Sequence, residues 1–370
     1  MDTTHQIHIG NSQNLNEIED ESINLIVTSP PYPMIEMWDE TFSKLNNKIK
    51  DALENKDGVE AYNLMNSELN KIWDEIDRVL VSGGIACINI GDATRKIGDN
   101  FQLYSNHSKI INYFEEMGYQ VLPDILWRKQ SNKPNKFMGS GMLPPNAYVT
   151  LEHEYILIFR KTGNRQFKSQ DDKINRRDSA YFWEERNVWF SDIWEDVQGT
   201  RQKMDNKKTR ERNGAYPFEF AYRLINMYSV KGDTVLDPFL GTGTTTIASI
   251  ASERNSVGYE IDPNFKDVIL ENILTSKDYS NQFIEERIEN HEKFIQQRIS
   301  ENKEPKHESN KYNFGVVTSQ EKELTLSLIN SINEENDVIS VDYIKILHDK
   351  NEKEKKEVKP KKRYKQTTFF

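Results

Sequence analysis

Residues 234–260 constrain the fold more than any other part of this chain. An apolar run, Thr234-Val-Leu-Asp237, leads into the loop Pro238-Phe239-Leu-Gly241-Thr-Gly243-Thr244. An apolar stretch from Ile247 to Ala251 follows, and a second apolar run, Ser256-Val-Gly-Tyr-Glu260, ends in a carboxylate. Strand, glycine loop, helix and strand in this order form the nucleotide-binding corner of an α/β fold. Glycines admit a ligand to the backbone, the helix N-terminus faces it, and the acid at the next strand end accepts from ribose hydroxyls. The loop is not a P-loop, because no Lys-Ser/Thr follows the glycines, and Thr246 stands where a dinucleotide fingerprint has its third glycine. Taken alone, a tight strand–helix turn without a ligand remains open.

The second landmark lies about 200 residues earlier: Ser29-Pro30-Pro31-Tyr32 closes the apolar run Ile23 to Thr28. Proline lacks an N–H, fixes φ and pushes its predecessor into an extended conformation. Two in succession stiffen the chain where a strand leaves its sheet. They free carbonyl oxygens to accept beside one hydroxyl and one aromatic ring. That set grips a flat ring bearing an exocyclic amine: the ring stacks on Tyr32, and the amino hydrogens meet the Ser29 hydroxyl and the Pro30 carbonyl. The competing reading is a P-x-x-P ligand for a partner domain, but such ligands lie on exposed polar chain.

Together, Ser-Pro-Pro-Tyr early and Asp-Pro-Phe-Leu-Gly-Thr-Gly-Thr-Thr late resemble the amino-group DNA methyltransferases that use S-adenosylmethionine. The order, catalytic motif first, is that of the permuted β class, and serine in the first position resembles the members that methylate cytosine N4. The resemblance covers residues 5–275. It implies Ser29, Pro30, Pro31 and Tyr32 as the catalytic turn. It implies Asp237, Pro238, Phe239, Gly241, Gly243, Thr244 and Glu260 as the cofactor site, with Asp237 at the methionine ammonium. Asn11 stands where the family often carries an acid near the adenine. Trp127 is either a wall of the base pocket or a core residue. The target base must be flipped from the duplex at a cost of a few kcal/mol, part of which stacking on Tyr32 returns, about 1–3 kcal/mol per base.

Net charge is −10, yet residues 128–212 hold 18 Lys and Arg against 12 Asp and Glu. Three clusters carry this excess: Arg128/Lys129/Lys133/Lys136, Arg160/Lys161/Arg165/Lys168 and Arg201/Lys203/Lys207/Lys208/Arg210/Arg212. Mixed with Tyr181, Phe182, Trp183, Trp189 and Phe190, they favour a double-stranded DNA face, with a solvated surface as the plainer account of any one cluster. No run of apolar residues is long enough to cross a bilayer, and the first residues show no basic-then-apolar signal, so a cytoplasmic protein is expected. The single cysteine, Cys87, reads as a small core residue. Seven histidines without ligand spacing predict no metal site.

Helices alternating with short apolar strands predict a doubly wound, mostly parallel sheet. Strands are predicted at 5–9, 23–28, 85–90, 120–127 and 154–159, and helices at 59–80, 106–117 and 217–228. Four regions follow: 1–160, the catalytic half; 161–212, a basic and aromatic insertion over the catalytic edge; 213–277, the cofactor half; and 278–370. The last holds an amphipathic helix at 278–303, a small α/β appendage at 314–346 and a charged tail. Either a monomer or a homodimer is compatible with that helix. The activity expected is cytosine-N4 methylation within a restriction–modification pair, the restriction endonuclease being the genetic partner. Adenine-N6 methylation by the same fold and a nicotinamide-dependent oxidoreductase are the alternatives, and the latter leaves Ser29 to Tyr32 unexplained.

Overall fold

The computed structural model describes residues 2–129, 138–197 and 216–346. Strand β1 (Thr3–Ile9) and strand β2 (Ile23–Thr28) come first, then helices α1 (Asp39–Leu45), α2 (Asn47–Glu54) and α3 (Gly58–Val79). Strand β3 (Leu80–Ile90) is followed by a hairpin, β4 (Ala93–Ile97) and β5 (Asn100–Tyr104), then helix α4 (Asn106–Glu116) and strand β6 (Gln120–Arg128). A two-residue pair, β7 (Met138–Gly139) and β8 (Ala147–Tyr148), precedes strand β9 (His153–Arg160). Helices α5 (Gln170–Asp178) and α6 (Trp183–Trp189) and strand β10 (Ile193–Trp194) cross to helix α7 (Phe218–Tyr228). The unit around the glycine loop is strand β11 (Thr234–Asp237), helix α8 (Thr244–Ala251) and strand β12 (Asn255–Glu260). Helices α9 (Lys266–Thr275) and α10 (Lys277–Ser300) follow, then a small pair, β13 (His307–Glu308) and β14 (Gly315–Val316), and the hairpin β15 (Ser327–Glu335) and β16 (Val338–Lys345).

Ten strands form one sheet in the order β10-β6-β9-β3-β2-β11-β12-β1-β16-β15. Strands β3, β2, β11, β12 and β1 run parallel, and β9, β16 and β15 introduce antiparallel pairs. This is the doubly wound α/β fold predicted. Alternation sorts β2 between two cores. Leu25 and Val27 point to the face covered by α7 and α8, and Ile26 points to the face covered by α3 and α4. Cys87 is buried among the former, as a core residue.

Local chemistry explains the helix ends. Asp57 accepts from the Glu60 N–H at 3.0 Å and starts α3, whose buried stripe runs through Ala61, Met65, Leu69, Ile72, Ile76 and Val79. Gly118 at φ +86° stops α4 in the left-handed region.

Two expectations for the chain's organisation are overturned. The first concerns the insertion, whose aromatic residues were expected on a DNA face. A capping box, Ser169 with Asp172, opens α5, and the aromatic residues of the insertion are largely structural: Phe182 and Trp189 are buried against α7 and α10. Residues 327–345 are not an appendage. They extend the main sheet, Val341 pairing with Thr3 of β1 across an antiparallel ladder. Asn336 and Asp337, both at positive φ, form the two-residue turn between these strands. In α10, Ile284, Ile288 and Ile295 pack on the body while Ile299 stays exposed. No helix among the described residues is long and apolar enough to cross a membrane.

Candidate functional site

Strands β2 and β11 are neighbours, with Leu25 opposite Val235 and Ile26 opposite Leu236. Helical crossovers leave this pair in opposite directions, so their carboxyl ends flank a switch point, where ligands bind in open α/β sheets. Ser29 follows one strand end and Asp237 ends the other. Both line a cleft of 350 Å³ that also takes in Asn11, Pro30, Pro31, Tyr32, Pro238, Phe239, Gly241, Thr244 and Glu260. Ile35, Trp38, Leu69, Ile72 and Phe265 complete an apolar wall. Eleven of the twelve residues expected in the catalytic turn and cofactor site meet here.

Gly243 is the twelfth and does not line the cleft. Its φ of +92° is left-handed, and a Cβ there would come within 3.3 Å of Ile269. Its glycine is needed for the turn and for α8–α9 packing. Gly241 behaves differently: at φ +57°, a Cβ would meet nothing closer than the Phe239 carbonyl at 4.0 Å, so its outer face is open.

Asp237 is buried and its carboxylate is fully engaged. One oxygen accepts from the Thr28 hydroxyl at 2.6 Å and the Phe239 N–H at 3.0 Å; the other accepts from Thr245 at 2.5 Å and Tyr216 at 3.0 Å. A carboxylate offers about four acceptor positions, and all are filled. Burial pushes this carboxyl above the usual range while the hydroxyls and the amide hold it down. Asp237 therefore ties the two strand ends together and contributes charge to the cleft, with no free acceptor for a ligand ammonium.

Glu260 accepts from the Gly241 N–H and the Asp262 N–H, both at 2.9 Å. Burial raises its carboxyl to about 7, against the pull of those two amides. Asn11 lies at the rim, exchanging hydrogen bonds with Gln13.

At the other end, the Tyr32 hydroxyl donates to Glu154 Oε2 at 2.9 Å and lies 3.2 Å from Ser29 Oγ. Asn89 Nδ2 donates to Tyr32 and to Glu154, both at 2.8 Å, and Lys129 donates to Glu154 Oε1 at 2.9 Å. Burial first, then the Glu154 charge, pushes the Tyr32 phenol well above its ordinary range. Gly91 makes room for the ring: a Cβ there would fall 2.9 Å from Tyr32 Cε2. Trp127 is fully buried and donates to the Val197 carbonyl at 2.8 Å, so it is a core residue.

Sequence reasoning missed Thr28, Asn89, Glu154, Tyr216 and Thr245 as site residues. Thr28 and Thr245 stood beside the recognised motifs. Glu154 and Tyr216 carried no local signal, because their roles depend on β9 meeting β3 and on the chain entering α7 beside β2.

The basic residues divide. Arg128 is exposed at the cleft edge and pairs with Glu195 at 2.9 Å and Glu152 at 3.5 Å. Arg165 is at the opposite edge of the sheet, paired with Asp233 through both guanidinium nitrogens, beside Gly83 and Asn24. It does not join the site, because β9 runs antiparallel to β2 and its end delivers the chain to the far edge. Lys133, Lys136, Arg201, Lys203, Lys207 and Arg210 lie outside the described residues. Apart from the cleft, Glu184, His291 and Glu321 gather in one cluster, a grouping the histidine spacing did not foretell. The His291 ring is already held by Glu184 and the Gly315 carbonyl.

Residues 23–271 match the model of the N6/N4 methyltransferase family, described as DNA methylase. The chain is 59% identical over 327 residues to the Type II methyltransferase M.MthZI of Methanothermobacter thermautotrophicus, spanning 88% of this chain and 91% of the relative. It is 56% identical over 282 residues to the Type II methyltransferase M.MjaI of Methanocaldococcus jannaschii, spanning 73% and 91%. Among solved structures, a putative DNA modification methylase of Thermus thermophilus, complexed with S-adenosyl-L-methionine, superposes with a TM-score of 0.57 at 29% identity, covering 74% of this chain and 94% of that one. The family match spans both motif-bearing strand ends and the cleft between them apart from Asn11 and Ser12, and the chain belongs to this family of DNA methylases.

Proposed function

We propose that this chain transfers a methyl group from S-adenosylmethionine to the N4 amine of a cytosine flipped out of duplex DNA. In this reading it is the modification enzyme of a Type II restriction–modification system, with a cognate endonuclease as its genetic partner. The observation that carries the reading is the shared cleft: the Ser29 hydroxyl and the open face of Gly241 line one 350 Å³ space.

The residues present fit the cofactor. Glu260 at the end of β12 suits a ribose diol, Phe239 and Ile261 supply apolar surface for an adenine, and the bare Gly241 backbone permits close approach. When bound, S-adenosylmethionine supplies an electrophilic methyl group on a sulfonium. The protein's part is positional and electrostatic. Cytosine N4 is a weak nucleophile because its lone pair is delocalised into the ring. Ser29 Oγ and the Pro30 carbonyl accept the two amino hydrogens and hold the nitrogen pyramidal. Acceptors preset where positive charge develops stabilise the transition state, and fixed contact between nitrogen and methyl supplies further rate.

Duplex binding falls to the same edge. Arg128 and Lys129 lie there, and so do the described ends of the flanking segments, Val197 against Trp127 and Tyr216 against Asp237. Serine rather than aspartate at position 29 supports cytosine over adenine.

Digesting DNA to nucleosides after incubation with labelled S-adenosylmethionine tests the choice of base. N4-methylcytosine is the expected product; N6-methyladenine in its place assigns the same cleft to adenine.

A further inference from the structure

The hydrogen-bond network around Tyr32 has a direction. Glu154 is an acceptor on both oxygens, taking Lys129 on Oε1 and both Tyr32 and Asn89 on Oε2. The Tyr32 proton is therefore committed to Glu154, since that short contact offers no other donor. Asn89 must present its NH2 group to this pair, because its carbonyl would face a carboxylate and a hydroxyl whose proton points away. Its two hydrogens go to Tyr32 and Glu154 at 2.8 Å, leaving the 3.4 Å approach to Ser29 weak. The Tyr32 oxygen can only accept from Ser29. Hence the Ser29 hydroxyl donates to Tyr32, and its lone pairs are left for the cleft.

We propose that Glu154 is a positioning residue that polarises Ser29 through Tyr32 and receives the proton shed by the amine. The proposal rests on methylation of an exocyclic amine, as above. As the nitrogen gains the methyl carbon, the pair of the broken carbon–sulfur bond returns to sulfur. The surplus proton then leaves nitrogen for Ser29 Oγ, the Ser29 proton passes to Tyr32, and the Tyr32 proton passes to Glu154 Oε2. The nitrogen keeps the bonding pair, Ser29 and Tyr32 end as they began, and a protonated Glu154 balances the sulfonium charge lost. The geometry permits each transfer, at 3.2 Å between Ser29 and Tyr32 and 2.9 Å between Tyr32 and Glu154.

Burial keeps the Tyr32 phenol protonated at working pH, as a relay requires. The ionisable groups facing Glu154 are Lys129 after β6 and Tyr32 in the catalytic turn; Asn89 from β3 is neutral. Asn89 is 1% exposed and holds the two acceptors at a fixed spacing.

A double-mutant cycle on the full chain tests this, using Tyr32→Phe, Glu154→Gln and both together. Single-turnover methyl transfer is measured beside binding of duplex DNA and of S-adenosylhomocysteine. Each single variant should lose about 100- to 10,000-fold in rate, the range of one positioned proton acceptor, with both affinities retained. The double variant should be no slower than the worse single one. Losses that multiply in the double variant, or a wild-type rate in Tyr32→Phe, overturn the relay. Tyr32→Phe keeps the ring packed on Gly91, so the test stands even if Glu154→Gln folds poorly. A wild-type protein that never labels an exocyclic amine sinks the underlying reading instead, and so separates the two failures.

Discussion

The Thr28 hydroxyl donates to the Asp237 carboxylate across 2.6 Å, joining the last residue of β2 to the last residue of β11. This bond spans 209 positions in sequence and holds the two halves of the cleft in register. Thr245 and Tyr216 fill the second oxygen, so one buried acid organises three hydroxyls from three parts of the chain.

Asp237→Ala should therefore do more than abolish cofactor binding. Three hydroxyls and the Phe239 N–H lose their acceptor in a buried place, at a cost of about 3 kcal/mol. Thermal unfolding should show a clear drop in Tm, and titration with S-adenosylhomocysteine should show no binding. A variant as stable as the wild type would mean that Asp237 is not the tie between the strands.

In the proposed site, Glu260 should make cofactor binding depend on pH. Its carboxyl is raised from an ordinary 4.5 to about 7 by burial. A raised acid adds stability that is complete below the ordinary value and is lost as pH climbs through the raised one, so the free protein should weaken between 4.5 and 7. Ribose hydroxyls donate to the charged form, so cofactor affinity should rise over the same window and level off above it, with proton uptake by buffer. Calorimetry in two buffers of different ionisation enthalpy measures that proton, and Glu260→Gln should abolish it.

Arg165→Ala should act on stability and spare DNA binding. Asp233 is 5% exposed and loses its bidentate partner, which costs about 3 kcal/mol when a buried pair is broken. Urea unfolding and DNA titration on the same variant read both effects. Arg128→Ala should do the reverse, weakening DNA binding with little change in the unfolding midpoint.

Ending the chain at Leu326 should expose β1 as a sheet edge. The hairpin 327–345 supplies the ladder to β1 and the Tyr343 hydroxyl that donates to the Ile250 carbonyl at 2.8 Å. An uncovered edge strand recruits other chains. Light scattering should show association of the shortened protein, whereas the full chain stays dispersed.

The strands and helices nearest the two motifs were legible because their periodicities are strong and their ends carry proline, glycine or an aspartate cap. Ile23–Thr28 and Phe218–Tyr228 appear in the structure with the bounds the sequence implied, within a residue. The segment 161–197 was misread because its aromatic residues alternate with charge. Phe182, Trp189 and Trp194 are buried by α7 and α10, elements whose positions only the three-dimensional arrangement reveals. The hairpin 327–345 was hidden by its polar outer face: along β15, Ser327 and Ile329 are buried while the residues from Glu334 on are exposed. In the cleft, the motif residues were visible, but Glu154 was not. Its meaning arises from β9 inserting antiparallel beside β3, which brings a strand-end acid to the Tyr32 hydroxyl.

The proposed transfer requires methyl donor and target amine to meet between Ser29 and Gly241. A crystal structure with sinefungin, whose amine replaces the transferable methyl, measures this directly. That amine should lie within about 6 Å of Ser29 Oγ, one hydrogen bond plus one reacting contact, with the ribose at Glu260. Sinefungin seated with its amine turned from Ser29, or bound away from Gly241, would contradict it.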